Sequence, residues 1–433
     1  MKTIKQTQSV CPVCLSPITA YLVEKGDGIY MEKECADHGH FSALVWEGSA
    51  ESYAKWDRGN KKKDKITDPK ADRDPRGCPY DCGLCEDHVR STCCVLLEIT
   101  QRCNLKCPVC FASAGEKCPP DPTLEQLGES MDMLMRKGGP FNLQLSGGEP
   151  TVRDDIPEII KMGLEKGFEF FQLNTNGIRL ADEEGYAKKL KNAGLSCVFL
   201  QFDSLSDKVY KVLRGKSLLM KKLKAIKNCA EAGLGVVLVP VIAPGINDGE
   251  IGALIKFAEK NMPHVRGVHF QPISYFGRCI PMAEKRITIP YMLKCIDSQT
   301  SHRFKSSDFA GGGAENPYCS FHAEYRKGKD GKLKLLKSSS SCCCTTSKKS
   351  RENVARQWKG AADISAEAGS MEAFFKDTLD NTLAISGMLF QDCYNLDLDR
   401  LKRCYICEVD PRYGLVPFCA YNLTGADGKS IYR

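Results

Sequence analysis

The chain has 433 residues, 42% hydrophobic and 27% charged, with a formal net charge of +7, which suits a soluble protein of two or three domains with a sizeable core. The charge is mild for this size: it permits an acidic substrate or an anionic surface but does not by itself indicate nucleic acid. No apolar run reaches the length of a membrane span and MKTIKQTQSV lacks the apolar core of a signal peptide, so the expected location is the cytoplasm, with only a transient membrane contact left open. Cysteine is the anomaly, at 24 residues with no export signal. In a reducing compartment, clustered cysteines point to metal rather than disulfides. Lone Cys197, Cys229, Cys279 and Cys295 read instead as small buried hydrophobes.

In chain order, residues 1–60 are turn-rich and hold CPVC (Cys11, Cys14) and ECADHGH (Cys35, His38, His40). A C-x2-C pair with a distant third thiol suits tetrahedral zinc or a rubredoxin-like iron, the fourth ligand being open among His38, His40 and another cysteine. The polar stretch 57–77 reads as a solvated linker within a segment 61–93 that ends in RGCPYDCGLC (Cys78, Cys82, Cys85) and STCC. Cys94, or Cys93 beside it, completes a four-thiol set there. Such a set leaves no substrate position, suits electron conduction, and would sit at the bottom of the sheet, where Cys94 opens a strand.

Residues 94–275 alternate short apolar runs with amphipathic helical stretches. The strand candidates are 94–100, 141–147, 168–174, 197–203, 235–241 and 267–273; helical patterns occupy 123–138, 155–167, 182–194, 216–233 and 248–261. Apolar runs without alternation fit strands buried under helices, and right-handed crossovers curl such a parallel α/β sheet into a full or partial barrel. Residues 276–385 are less regular and include Cys319 and a serine-rich stretch, 338–350, whose adjacent Cys342, Cys343 and Cys344 suggest a mobile surface loop. Residues 386–433 return to cysteine with Cys393, Cys404, Cys407 and Cys419, a second complete four-thiol set.

The trio Cys103, Cys107 and Cys110 in TQRCNLKCPVCFASAG follows the first strand candidate, on the loop at its C-terminal end, where β/α barrels keep their chemistry. A four-iron cluster held by three thiolates keeps one iron free to bind something else. This C-x3-C-x2-C spacing resembles the radical S-adenosylmethionine (SAM) enzymes. The resemblance implies a catalytic 4Fe-4S cluster whose free iron chelates the amino and carboxylate groups of SAM, and whose electron cleaves SAM to a 5′-deoxyadenosyl radical. By the same resemblance Phe111 lies beside the cluster, and Gly147, Gly148 and Glu149 of SGGEP hold the SAM amino group. Asn174 of NTNG closes the third strand, Gln201 and Asp203 of QFDS face the ribose, and VPVIAPGIND lines the adenine. The fold so implied is a partial (β/α)6 barrel over residues 94–275 with cysteine-rich N- and C-terminal metal-binding extensions.

The three-part plan is similar to the archaeal tetraether lipid synthase group, some of whose relatives are assigned as methyltransferases on a hydroxymethyl-dihydropterin. That similarity implies two auxiliary 4Fe-4S clusters and a low-potential donor such as ferredoxin or flavodoxin. It also implies C–C bond formation between lipid chains, or alternatively methylation of a small heterocycle. A lipid enzyme would show an apolar tunnel, to which ISGMLFQ (385–391) could contribute; a pterin enzyme would show a compact polar pocket. An iron–sulfur electron carrier with a vestigial barrel would lack an intact trio or Glu149, and both are present.

Overall fold

The computed structural model describes residues 2–57, 63–69, 74–115, 118–282, 285–312, 316–336, 346–359 and 371–433; the triple cysteine at 342–344 lies outside these residues. The N-terminal region is an antiparallel meander of four strands, β1 (Lys2–Val10), β2 (Pro17–Lys25), β3 (Gly28–Cys35) and β4 (Gly39–Glu47). Its tight turns, 11–16 and 36–38, carry the first cysteines and His38.

The main sheet contains β5 (Cys94–Thr100), β6 (Asn142–Gly147), β7 (Phe171–Thr175), β8 (Cys197–Gln201), β9 (Gly235–Val239), the short β10 (Val241–Ile242) and β11 (Val265–Pro272). These are the six expected strands plus a two-residue partner of β11, and all their pairings are parallel. Side chains on one face, among them Val95, Leu97, Leu143, Leu145, Leu173, Val198, Leu200, Val236, Leu238 and Phe270, form one buried core with helix residues such as Met131, Ile159, Leu190, Ile226 and Leu254. The opposite face lines the barrel interior.

Several expectations are corrected. Residues 168–170 lead into β7 rather than forming its start. The helical stretch 182–194 is broken at Gly185, whose φ of +73° a helix cannot hold, into Ile178–Asp182 and Tyr186–Ala193. An unforeseen helix, Asp207–Arg214, follows β8. The irregular region supplies helix Ile289–Gln299 and strands β12 (Ser320–Lys327), β13 (Leu333–Leu335) and β14 (Thr382–Met388).

The strand β14 pairs in parallel with β11, so residues 385–388 of ISGMLFQ extend the sheet. At the other edge, β15 (Ile406–Asp410) pairs in parallel with β5, and β16 (Gly414–Pro417) closes an antiparallel hairpin on it. Helix Ser347–Trp358 caps the N-terminal ends of the strands, with Trp358 buried among Phe170, Cys197 and Val237. No helix among the described residues is long and apolar enough to cross a membrane.

Candidate functional site

The N-terminal knuckle is the tightest donor cluster among the described residues. One ligand atom each from Cys11, Cys14, Cys35 and His38 lies within 4.8 Å of the others. His38 Nδ1 is 3.4 Å from Cys35 Sγ and 3.6 Å from Cys11 Sγ, and Cys14 Sγ is 4.0 Å from Cys35 Sγ. Zn–S and Zn–N bonds of about 2.3 and 2.0 Å separate tetrahedral donors by roughly 3.5–3.8 Å, so this quartet fits. His38 stands where a fourth ligand to these three thiols would be. His40 turns away to Glu32, 2.7 Å distant.

Cys103, Cys107 and Cys110 lie on the loop after β5, packed around Leu105, Tyr210 and Leu218. Burial pushes the Cys103 thiol up to about 12, with Glu149, Cys107 and Cys110 adding to it. Burial also raises Cys107, while Arg214 draws it back. Thiols crowded together in this way ionise when a cationic group binds them, and three such donors fit a four-iron cluster. The loop is fixed from behind by Arg278, which donates through Nε to the Cys107 carbonyl at 2.6 Å and exchanges backbone hydrogen bonds with Cys110. Phe111 is partly exposed, 5.6 Å from the ring of Phe418.

The glycines of SGGEP permit two loops to touch. A Cβ on Gly147 would run into the carbonyl oxygen of Thr100, and one on Gly148 into that of Arg102. The Gly148 and Glu149 N–H groups bond these same two carbonyls, at 2.8 and 2.9 Å, locking the motif onto the start of the cysteine loop. Glu149 is only 1% exposed. Its Oε1 accepts from Thr151 N–H and from the hydroxyls of Thr151 and Thr175, and its Oε2 accepts Asn176 N–H at 2.7 Å. One carboxylate thus ties the second strand end to the third and keeps room at Oε2 for one more donor.

Asp203 is fully buried and grips Arg214 through both oxygens at 2.7 Å, Oδ1 also accepting Val241 N–H. It anchors a cation that reaches the Val109 carbonyl, between Cys107 and Cys110. Gln201, with its amide oxygen turned toward Arg214, accepts from that guanidinium at 3.0 and 3.2 Å. Behind them Lys222 is fully buried and donates to the Asn176 carbonyl, and burial lowers its ammonium to about 8. Arg214, Lys222, Arg278 and Asn176 escaped sequence reading. A lysine within the apolar stripe Lys222, Ala225, Ile226, Cys229 was the available signal.

Between these groups the barrel interior is lined by Gln144, Gln172, Asn174, His269 and Ser386. Gln172 donates to Asn174 at 2.7 Å, Asn174 to Gln144 at 3.3 Å, and His269 Nδ1 lies 2.9 Å from Ser386 Oγ. Phe199 reaches His269, ring to ring 6.1 Å, although β9 separates their strands.

The other cysteines lie in three places. Cys78 and Cys82 belong to an apolar cluster with Leu15, Phe276, Phe418 and Tyr432, and the Tyr432 hydroxyl accepts Cys82 N–H at 3.2 Å. This tether fastens the 78–85 segment to the C-terminal region. Cys93 and Cys94 do lie at the bottom, 3.8 Å apart, Cys93 beside Arg351 and Cys94 beside Cys197. Cys393, Cys404, Cys407 and Cys419 all follow β14, and Cys407 is buried in β15.

Residues 97–258 match the family model of the radical SAM superfamily. The chain is also 35% identical to the Methanocaldococcus jannaschii 7,8-dihydro-6-hydroxymethylpterin dimethyltransferase over 96% of its own length and 93% of that protein's. The chain belongs to the radical SAM family. This radical SAM enzyme also matches, over residues 3–47, the HMPTM N-terminal zinc ribbon domain. Over 41% of its length it is 33% identical to the mitochondrial GTP 3′,8-cyclase of Arabidopsis thaliana, covering 45% of that protein. A solved structure of Streptococcus suis SuiB bound to S-adenosylmethionine aligns with a TM-score of 0.42 at 17% identity, covering 49% of this chain and 48% of that one.

Proposed function

We propose that this radical SAM enzyme methylates carbon on a small heterocycle of the hydroxymethyl-dihydropterin class. The carrying observation is the amide-lined interior: Gln144, Gln172 and Asn174 form a hydrogen-bonded row facing His269 and Ser386, with Phe199 against the histidine. Polar amides and an aromatic face match a flat ring with donors and acceptors along its edge. The saturated chains of a lipid substrate would offer no partner to the donors and acceptors that the row leaves over, which weighs against joining lipid chains. The relative with that pterin activity, similar over nearly the whole chain, supports the same choice.

In this reading Cys103, Cys107 and Cys110 hold the catalytic 4Fe-4S cluster. The bound cluster and SAM supply a 5′-deoxyadenosyl radical when a low-potential ferredoxin or flavodoxin delivers an electron. The chain's own residues position and shield. Arg278 and Arg214 fix the cysteine loop by its carbonyls, and Glu149 ties the strand ends around the SAM position. The amides orient the heterocycle. Cys11, Cys14, Cys35 and His38 hold zinc, and the remaining sets, which include Cys78, Cys82 and Cys85, hold auxiliary 4Fe-4S clusters.

The test is anaerobic incubation with methyl-labelled SAM, reductant and 6-hydroxymethyl-7,8-dihydropterin, followed by mass spectrometry. One or two labelled methyl groups on the pterin are expected. Untouched pterin beside active SAM cleavage would overturn the substrate assignment, and coupled chains from added lipid would restore the lipid reading.

A further inference from the structure

We infer that Cys319 completes the C-terminal thiol set, so that Cys319, Cys404, Cys407 and Cys419 ligate one auxiliary iron–sulfur cluster and Cys393 lies outside it. The inference rests on the reading that this set holds a cluster. Four stretches of chain converge there. Cys319 ends the short turn Pro317–Cys319, and its carbonyl accepts Leu389 N–H at 2.8 Å, immediately after β14. Two residues further on, Gln391 N–H donates to Cys419 Sγ at 3.3 Å. The β15–β16 hairpin places Cys407 opposite Pro417, two residues before Cys419. Arg400, one turn ahead of Cys404, donates through one nitrogen to both the Tyr318 carbonyl at 2.9 Å and Cys319 Sγ at 3.3 Å.

These contacts have the chemistry of a cluster ligand shell. A thiol that serves only as a small hydrophobe packs against carbon, whereas Cys319 receives a guanidinium and Cys419 a backbone N–H. Donors of this kind stabilise thiolates and tune iron–sulfur clusters. Cys393 has other company. Its carbonyl accepts Lys33 Nζ at 2.7 Å, and the charges acting on its thiol are Asp392, Lys33 and Arg286.

The experiment counts iron and acid-labile sulfide per chain in the full-length protein after anaerobic reconstitution, for wild type, Cys319→Ala, Cys404→Ala and Cys393→Ala. Cys319→Ala and Cys404→Ala should each lose the same cluster, about four iron, while Cys393→Ala keeps the wild-type count. A full count in Cys319→Ala, or a lost cluster in Cys393→Ala, overturns the assignment. If Cys404→Ala also loses nothing, the set holds no cluster and the underlying reading falls with it. Arg400→Gln guards against misfolding of the cysteine variants. It should retain all iron and shift one reduction potential to more negative values, because a cation beside a thiolate favours the reduced cluster. Unchanged potentials would count against Cys319 as a ligand.

Discussion

At the scale of single residues, the site is held by charges placed where water does not reach. Asp203 and Arg214 satisfy each other fully inside the protein. Breaking such a pair from one side leaves an uncompensated buried charge, at about 3–5 kcal/mol. Asp203→Asn is therefore expected to lower the unfolding free energy from urea titration by that amount and weaken SAM binding, while Asp203→Asn combined with Arg214→Leu recovers most of the stability. Lys222 gives a pH signature. In the folded chain its ammonium releases its proton near pH 8, against an ordinary value of 10.5, so between these limits the unfolded chain binds more protons and stability rises with pH. Measured against Lys222→Met, the wild type should gain up to about 3 kcal/mol between pH 8 and 10.5, with its full penalty below pH 8; a flat difference would refute the buried-ammonium assignment. The trio and SGGEP were legible because spacing and glycine are local. Arg214 and Lys222 were not, because a charged residue on a helix reads as solvent-facing until the tertiary partner is known.

Among the elements, the N-terminal meander shows how short turns make a metal site. Each pair of donors sits in a strand connection, and Lys33 on β3, only 2% exposed, donates to Ser9 Oγ, the Val10 carbonyl and the Cys393 carbonyl. The ribbon is thereby fastened to the C-terminal segment. His38→Ala is expected to abolish stoichiometric zinc, measured by elemental analysis, whereas His40→Ala retains it, since His40 serves Glu32. The same reasoning separates legible strands from hidden ones. β5 to β9 are apolar runs. β14 is diluted by Ser386 and Gly387, and β15 carries the fully buried Glu408, whose carboxyl burial raises far above its usual range. Their place in the sheet comes from long-range pairing with β11 and β5 that no local pattern encodes.

For the whole molecule, the C-terminal segment links two distant strands of the main sheet. It starts beside β14, pairs with β5, and brings Phe418 against Phe111 next to the trio. Truncation after residue 388 should therefore expose the β5 edge and yield aggregate rather than a smaller compact barrel in size-exclusion chromatography. The cost of this arrangement falls on synthesis. β5 is made early, yet its partner β15 emerges more than 300 residues later, a span that slows folding and leaves one edge of β5 open to misassociation meanwhile. The thiols that converge on Cys319 are brought together only when that last hairpin closes. If each set takes its metal as its last donor emerges, the ribbon and the trio would load before this one, and the order of the strands would set the order of loading.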